Sequence, residues 1–511
     1  MSQGLPSPAE GQERPGTASR LGPALVAVAR MAPLAVQLLA TPFVIASLGA
    51  STYAVWALMI TTINLLMTAD LGVVSIMQRF HGVARGRGDV QMAGRVTATV
   101  LAVLGVVLVL VTLAGPLAAD VVLAVVDVPP ELRAEAYTAF RHTGTIAVLQ
   151  LIGLAFSSYL AAHERFVAFA VVSLGARLVL AAGIVVALTT GAGLPALVVA
   201  SYADAAMAVL LGAVAAARHL RREVRRPAYR AELGEMWSYA WRNQLSGLGF
   251  VAQRELDVLL AGVLLPTAAI ATVTAAAPLT AAVCLAPVVL LTPLFTRLSV
   301  LAAGDPRDVA AHAHEAERTW FRLAVPYAAL TLAVLPPFAA AWVGPDVSGV
   351  AGVTALLAAG YVLALATSVV ALLVRAVGEP GIETGAYAAY VVVKIVTGVV
   401  AAVLLGPLGL AATGVVASLA MVLVLRRGAR SLTGARGSVV DVPWALVSLA
   451  VAGAAAVGAW GVASAGVPRL AQLAVFAVIA ALAAAVLLLV GRRRGTRTEG
   501  AAAPSEGSRR S

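Results

Sequence analysis

The sequence predicts an all-α membrane protein with about 14 transmembrane helices. Of its 511 residues, 60% are hydrophobic and only 12% are charged. The mean hydropathy of +0.92 is far above that of a typical soluble globular protein. Apolar segments of about 20 residues, long enough to cross the hydrocarbon core as helices, recur along the chain. Arginine is concentrated in alternate connections between them, as expected of a multi-pass membrane protein.

The apolar segments define the predicted spans in chain order. Each is long enough for a membrane helix, and each boundary is set where the apolar run ends. The spans are Pro23–Leu48, Tyr53–Met77, Val96–Ala119, Phe140–Ala162, Val167–Leu188, Pro195–Ala217, Trp237–Leu264, Ala268–Phe295, Phe321–Val343, Val350–Val374, Glu383–Leu405, Leu408–Leu425, Trp444–Gly466 and Leu470–Val490.

The distribution of arginine predicts that both termini lie in the cytoplasm. Short cytoplasmic loops carry an excess of Lys and Arg, and the connections that follow even-numbered spans hold about twenty basic residues here, against about three on the other side. This strict alternation also supports an even number of spans. The terminal segments 1–22 and 491–511 are rich in small and polar residues, and we expect them to be disordered cytoplasmic tails.

The longest strongly basic connection, residues 218–236, divides the chain into two lobes of six helices and a terminal pair. The predicted units are a first lobe at 23–217, a second lobe at 237–426 and a terminal helix pair at 427–490. Transporter halves with an even number of spans are related by a pseudo-two-fold axis along the membrane normal, and substrate sites form between them.

A short segment before the ninth span carries a different pattern. Residues Pro306–Trp320 mix charged and apolar side chains. This pattern favours an amphipathic helix that lies on the cytoplasmic membrane surface.

Cations inside the apolar segments are the main candidates for a functional site. Arg30, Arg242, Arg254 and Lys394, the only lysine in the chain, lie within predicted spans. A charge at the centre of a spanning helix costs about 2.5 to 3.5 kcal/mol on insertion scales, so such residues usually face a protein interior or a water-filled path. These four therefore predict a positively charged cavity.

Helical periodicity places two of these cations on polar stripes. Arg30 shares a face of the first helix with Gln37 and Thr41, and Arg254 shares a face of the seventh with Asp257. The seventh-helix stripe also contains Asn243, Gly247 and Phe250. Guanidinium groups bind phosphate oxygens in bidentate geometry, so two facing stripes suit a diphosphate. The predicted substrate-binding residues are Arg30, Gln37, Arg254 and Lys394.

Five short motifs resemble a known transporter family. They are Leu48-Gly-Ala-Ser-Thr-Tyr-Ala-Val-Trp-Ala57, Asp70-Leu-Gly72, Gln78-Arg-Phe80, Gly88-Asp89 and Arg254-Glu-Leu-Asp257. Together they are similar to the pattern of bacterial polysaccharide (O-antigen-type) flippases of the multidrug/oligosaccharidyl-lipid/polysaccharide exporter (MOP) superfamily. The segment Ile270–Thr274 departs from that pattern, since a glycine and a tyrosine commonly follow the seventh helix.

The resemblance implies a V-shaped pair of lobes around a cationic cavity in the bacterial cytoplasmic membrane. It implies a flippase that moves undecaprenyl-diphosphate-linked oligosaccharide to the outer leaflet during surface polysaccharide biosynthesis. The partners it implies are the lipid-linked oligosaccharide, membrane lipid, and a glycan polymerase or glycosyltransferases.

Several residues keep a structural alternative. Arg254 could pair with Asp257 one turn away, and Arg242 lies near enough to the cytoplasmic end to extend its head group into water. Asp70, Asp204 and Asp257 are candidates for ion coupling or for simple ion pairs within the bundle.

The sequence shows no catalytic, metal or cofactor pattern. It has no Gly-x-x-x-x-Gly-Lys-Ser/Thr phosphate loop, and His312 and His314 point in different directions on a helix. The net charge of +11 comes from membrane-flanking loops, so we expect no nucleic-acid partner. The rival functions are a cation-coupled drug exporter, whose cavity should favour carboxylates, and a scaffold of a glycan assembly complex that transports nothing.

Overall fold

The computed structural model describes residues 17–68, 72–87, 89–223, 234, 249, 251–301, 306–433 and 441–501. Within these residues the regular secondary structure is entirely helical. The helices are α1 (Thr17–Leu48), α2 (Ala50–Thr68), α3 (Val73–Arg87), α4 (Val90–Val125), α5 (Arg133–Ala162), α6 (Phe166–Thr190), α7 (Gly193–Glu223), α8 (described over 251–264), α9 (Thr267–Leu285), α10 (Thr292–Leu301), α11 (Pro306–Val343), α12 (Val350–Leu365), α13 (Ser368–Ala376), α14 (Pro380–Gly428), α15 (Arg430–Thr433), α16 (Val442–Ser464) and α17 (Arg469–Ala501).

The helices confirm a multi-pass membrane protein. By length and composition, 11 described helices can cross a membrane, or 12 if the bent pair α12 and α13 is one span. Large apolar side chains such as Leu113, Val403 and Val457 are exposed on the outside of the bundle, where lipid would cover them. The described part of α8 is too short to be counted among these spans.

Helix α14 is a hairpin of two spans. Gly406 has φ 61° and ψ −143°, a conformation that is essentially restricted to glycine, and Pro407 follows it. The arms pack together closely, because a Cβ atom added to Gly398 would lie 3.4 Å from Leu410. The arms match the predicted spans Glu383–Leu405 and Leu408–Leu425.

Two predicted span boundaries were wrong. The second predicted span, Tyr53–Met77, covers most of α2 and the beginning of α3, which are separate helices. The eighth predicted span, Ala268–Phe295, is interrupted by a 3₁₀ turn at Ala286–Leu291 between α9 and α10. Pro287 and Pro293 explain this interruption, since each lacks the backbone N–H that an α-helix requires.

The predicted surface helix Pro306–Trp320 is instead the first part of α11, which continues to Val343. Its apolar side chains are buried against the second lobe rather than against lipid. Val309 and Ala313 are buried, and Trp320 Nε1 donates to the Leu365 carbonyl oxygen at 2.8 Å.

The C-terminal helix also differs from the prediction. Helix α17 runs to Ala501, beyond Gly491 where we placed the start of the tail. No proline interrupts the sequence before Pro504, so the helix can continue past the apolar segment.

Two helical lobes and an appended pair make up the bundle. We use 'first lobe' for α1 to α7, which pack mainly on one another, and 'second lobe' for α9 to α14 together with α8, which contacts α14 through Asp257 and Lys394; the predicted domain bounds stay a prediction. Helices α16 and α17 pack on α11, with Ala459 and Phe476 buried at that contact. The lobes meet through α1 and α2 on one side and α9 on the other, in a core that includes Tyr53, Ile270 and Ala271.

Replacing Gly406 by alanine should destabilise the protein by about 1 to 3 kcal/mol, because a side chain disfavours this backbone conformation. The measurement is the thermal unfolding midpoint of the purified protein in detergent. Gly453→Ala in α16 is the matched control, since open space surrounds that helical glycine and alanine favours a helix. Equal midpoints for the two variants would contradict the hairpin assignment.

Candidate functional site

A cavity of about 460 Å³ lies between the two lobes. Its walls come from α1 and α2 of the first lobe and from α8 and α9 of the second. The polar residues that line it are Gln37, Thr61, Asn64, Arg254, Glu255 and Thr274. We call it the central cavity. The structure therefore brings two predicted substrate-binding residues, Gln37 and Arg254, into one chamber.

Direct contacts between the lobes close one end of this chamber. The Tyr53 hydroxyl of α2 donates to the Thr274 carbonyl oxygen of α9 at 3.0 Å, and it lies 3.3 Å from the Thr41 hydroxyl of α1. The Thr267 hydroxyl of the second lobe also contacts the Asp127 carbonyl oxygen of the first. Asn64 lies about 16 Å further along α2 than Tyr53, at 1.5 Å per residue. The cavity thus lies beyond the closed end, away from the turn between α1 and α2.

Arg254 pairs with its chain neighbour Glu255. The Arg254 guanidinium approaches Glu255 Oε1 at 2.7 Å, and the Arg254 side chain is still 38% exposed. Glu255 itself is buried, and its Oε1 accepts a longer hydrogen bond from Asn64 of the first lobe at 3.5 Å. The alternative in which Arg254 pairs with Asp257 was wrong, because Asp257 faces a different partner.

That partner is Lys394. Its Nζ lies 2.5 Å from Asp257 Oδ1, and both side chains are buried. Lys394 Nζ donates to the Leu410 carbonyl oxygen at 2.7 Å, which joins α8 to both arms of α14. Lys394 is not among the described residues that line the central cavity. This differs from the predicted position of Lys394 in a substrate-binding cavity, because the lysine is instead buried against Asp257.

A third ion pair lies inside the first lobe. Asp204 of α7 is fully buried, and its Oδ2 lies 3.0 Å from the Arg177 guanidinium of α6. Gln150 of α5 donates to the same oxygen at 3.1 Å. These residues line a second cavity of about 70 Å³, which shares Pro33, Gln37 and Asn64 with the central cavity.

Some predicted residues lie outside what the structure describes. Asp70 and Arg242 are among them, as are Asn243, Gly247 and Phe250 of the seventh-helix stripe. Arg30 belongs to α1, but its side chain is outside the description. Their proposed roles stay predictions.

Sequence reasoning missed two residues of the central cavity. Asn64 is an amide inside a predicted membrane span, and such a polar side chain is the signal that could have identified it. Glu255 was expected to point away from Arg254, toward a neighbouring helix. It contacts Asn64 of α2, but the expectation that it avoids Arg254 was wrong, because the two side chains form an ion pair.

Proteins with a similar fold are found among solved structures. No protein-family model matches the sequence, and no curated protein matches it. Among solved structures, the chain is similar to the lipid II flippase MurJ in an inward closed conformation. The TM-score is 0.72 at 11% identity, over 92% of this chain and 99% of the other.

Two other solved structures give the same result. One is an inward-facing multidrug resistance MATE family transporter of the MOP superfamily, with a TM-score of 0.67 at 14% identity over 81% of this chain and 100% of the other. The other is a MOP superfamily transporter from Pyrococcus furiosus, with a TM-score of 0.57 at 16% identity over 83% and 100%. The chain has the fold of MOP-superfamily transporters. At these identities the likeness shows the fold alone.

Replacing Lys394 by methionine should destabilise the protein by about 3 to 5 kcal/mol, because it leaves the Asp257 carboxylate buried without a partner. The double variant Lys394→Met with Asp257→Leu should recover most of that loss, since a buried ion pair can be replaced by apolar groups at little cost. Unfolding midpoints of wild type, both single variants and the double variant form a complete cycle. Additive effects in this cycle would show that the two residues do not form a pair.

Proposed function

We propose that the chain is a flippase for undecaprenyl-diphosphate-linked oligosaccharide, which it moves by alternating access across the bacterial cytoplasmic membrane. The observation that carries the proposal is the central cavity, which lies between two lobes of a transporter fold and holds a half-exposed arginine. One neighbour in fold is named as a lipid II flippase, which supports a lipid-linked substrate for this chain.

The lobe contacts favour entry from the cytoplasm. The closed end lies near the turn between α1 and α2, on the side of the nearly uncharged connections. The cavity extends toward the opposite side, where Arg79 and Arg297 follow the spans of the first and second lobes. Since basic connections are typically cytoplasmic, the chamber would receive its substrate from the inner leaflet.

Arg254 would hold the diphosphate by exchanging its partner. A planar guanidinium can bind two phosphate oxygens, and such charge-assisted hydrogen bonds are stronger than neutral ones. The diphosphate would replace Glu255, while the Gln37 and Asn64 amides donate to further oxygens. The sugar would occupy the aqueous chamber and the prenyl tail would stay in lipid. Glycosyltransferases would supply this substrate, and a glycan polymerase would use it after translocation.

The Glu255 carboxylate favours a second candidate function. A cavity with an acidic wall can bind an organic cation, and a cation-coupled drug exporter would use Glu255 in this way. MATE family transporters of drugs share the fold. A scaffold of a glycan assembly complex, the remaining alternative, would transport neither substrate.

Replacing Arg254 by glutamine should slow lipid translocation roughly tenfold to 100-fold, because hydrogen bonds to charged groups contribute about 1.5 to 3 kcal/mol each. The assay follows undecaprenyl-diphosphate-linked oligosaccharide between leaflets of proteoliposomes. Arg254→Lys should also be slow, since an ammonium group lacks the bidentate geometry. Arg318→Gln, at an exposed position of α11, is the matched control and should stay near wild type.

The same vesicles separate the three functions. Transport of lipid-linked oligosaccharide that depends on Arg254 supports the flippase. Ethidium efflux that is lost in Glu255→Gln and unaffected by Arg254→Gln would identify the drug exporter. Movement of neither substrate by correctly folded wild type would contradict both transport functions.

A further inference from the structure

The small cavity of the first lobe is lined by two residues that each carry a buried polar atom without a described hydrogen-bond partner. Asp204 Oδ1 and Trp56 Nε1 each lack a hydrogen-bond partner within the described part of the chain. Both residues are almost completely buried, and both line the same cavity of about 70 Å³. Buried polar groups in folded proteins are nearly always hydrogen-bonded, so two such atoms on residues that line one cavity point to a ligand there.

The hydrogen-bonding roles of the two atoms indicate which ligand would fit. A carboxylate oxygen only accepts hydrogen bonds, and an indole N–H only donates them. The ligand must therefore donate to Asp204 and accept from Trp56. Water does both, and the cavity exceeds the ~10–15 Å³ that one water needs. A sodium ion cannot accept a hydrogen bond, and the guanidinium of Arg177 at 3.0 Å from Asp204 Oδ2 would repel it.

We propose that Asp204 and Trp56 form a water-filled proton-binding site in the first lobe, and that protonation of Asp204 strengthens the binding of a diphosphate in the central cavity. The linkage rests on the proposed flippase function, whereas the proton site does not. A proton carried by water moves to Asp204 Oδ1 and leaves a neutral carboxylic acid. The same water then accepts hydrogen bonds from that O–H and from the Trp56 N–H.

The route to the site runs through the cavity walls. Gln37 and Asn64 line both the small cavity and the central cavity. Each of these amides can donate and accept hydrogen bonds. They can therefore form a hydrogen-bonded connection between water in the small cavity and water in the central cavity. A proton can thus reach Asp204 from the substrate chamber without crossing the apolar core.

Arg177 connects proton binding to anion binding. With Asp204 ionised, the pair is neutral; with Asp204 protonated, Arg177 keeps its positive charge without a counter-ion. The lining residues from α1, α2, α5, α6 and α7 include no other titratable side chain among those described. The first lobe therefore becomes one charge more positive next to the central cavity. By reciprocity, a bound diphosphate should also favour the protonated form of Asp204.

The first test is infrared titration of the purified full-length protein in lipid nanodiscs without substrate. We expect a carboxylic-acid C=O band that rises as the pH falls and that is absent from Asp204→Asn. Trp56→Phe should shift this band, because it removes the donor that orients the water. Asp257→Asn, which changes the buried carboxylate of the other lobe, is the matched control and should retain the band. Persistence of the band in Asp204→Asn, or its displacement by sodium at constant pH, would overturn the proton site.

The second test measures binding of undecaprenyl diphosphate to the same preparations as a function of pH. Wild type should bind roughly tenfold more tightly at low pH, within the range typical of coupled sites. Asp204→Asn should bind at the low-pH strength throughout, since its side chain is neutral. An unchanged pH dependence in Asp204→Asn would overturn the linkage. Failure of every protein to bind the lipid would contradict the flippase function, while the infrared result would still decide the proton site.

Discussion

Neutralisation of buried cations by neighbouring carboxylates is the constraint on which the rest of this structure depends. Arg177, Arg254 and Lys394 each lie beside an acidic partner inside the bundle, and these partners are Asp204, Glu255 and Asp257. A charge without a partner would be costly in this low-dielectric interior, so the pairs allow ionisable side chains to exist there at all. Among the described residues, the one cation that lines the central cavity, Arg254, is therefore already paired with a carboxylate. An anionic substrate must compete with a carboxylate, or a carboxylate must first lose its charge.

The three ion pairs differ in their burial and in the cavities beside them. These differences suit each pair to a different role. Lys394 and Asp257 are fully enclosed and connect α8 with both arms of the α14 hairpin, which suits a fixed structural element of the second lobe. Arg254 lines the central cavity and is partly exposed, so its partner can be exchanged for a ligand. Asp204 and Arg177 border a small cavity next to that chamber, which suits the proposed protonation of Asp204.

Most of the fold could be predicted from the sequence because lipid imposes strong length and hydropathy limits on every span. The division of α14 into two spans is an example, since Gly406 and Pro407 interrupt a long apolar run. The ends of helices that lie in polar segments were harder to predict from the sequence. Nothing in the sequence of Pro306–Trp320 distinguished a surface helix from the beginning of a longer one. The position of this segment depends on the packing of Trp320 against the second lobe, which local sequence does not show. The candidate site was predicted only in part. Spacing on one helix cannot reveal that Asp257 meets a lysine more than a hundred residues away.

The most direct test of this account is an electron cryomicroscopy structure of the full-length protein with undecaprenyl diphosphate bound. The account predicts that the diphosphate lies between the lobes with its oxygens on the Arg254 guanidinium, that Arg254 has separated from Glu255, and that Lys394 still contacts Asp257. A diphosphate bound elsewhere while the Arg254–Glu255 pair stays intact would contradict it.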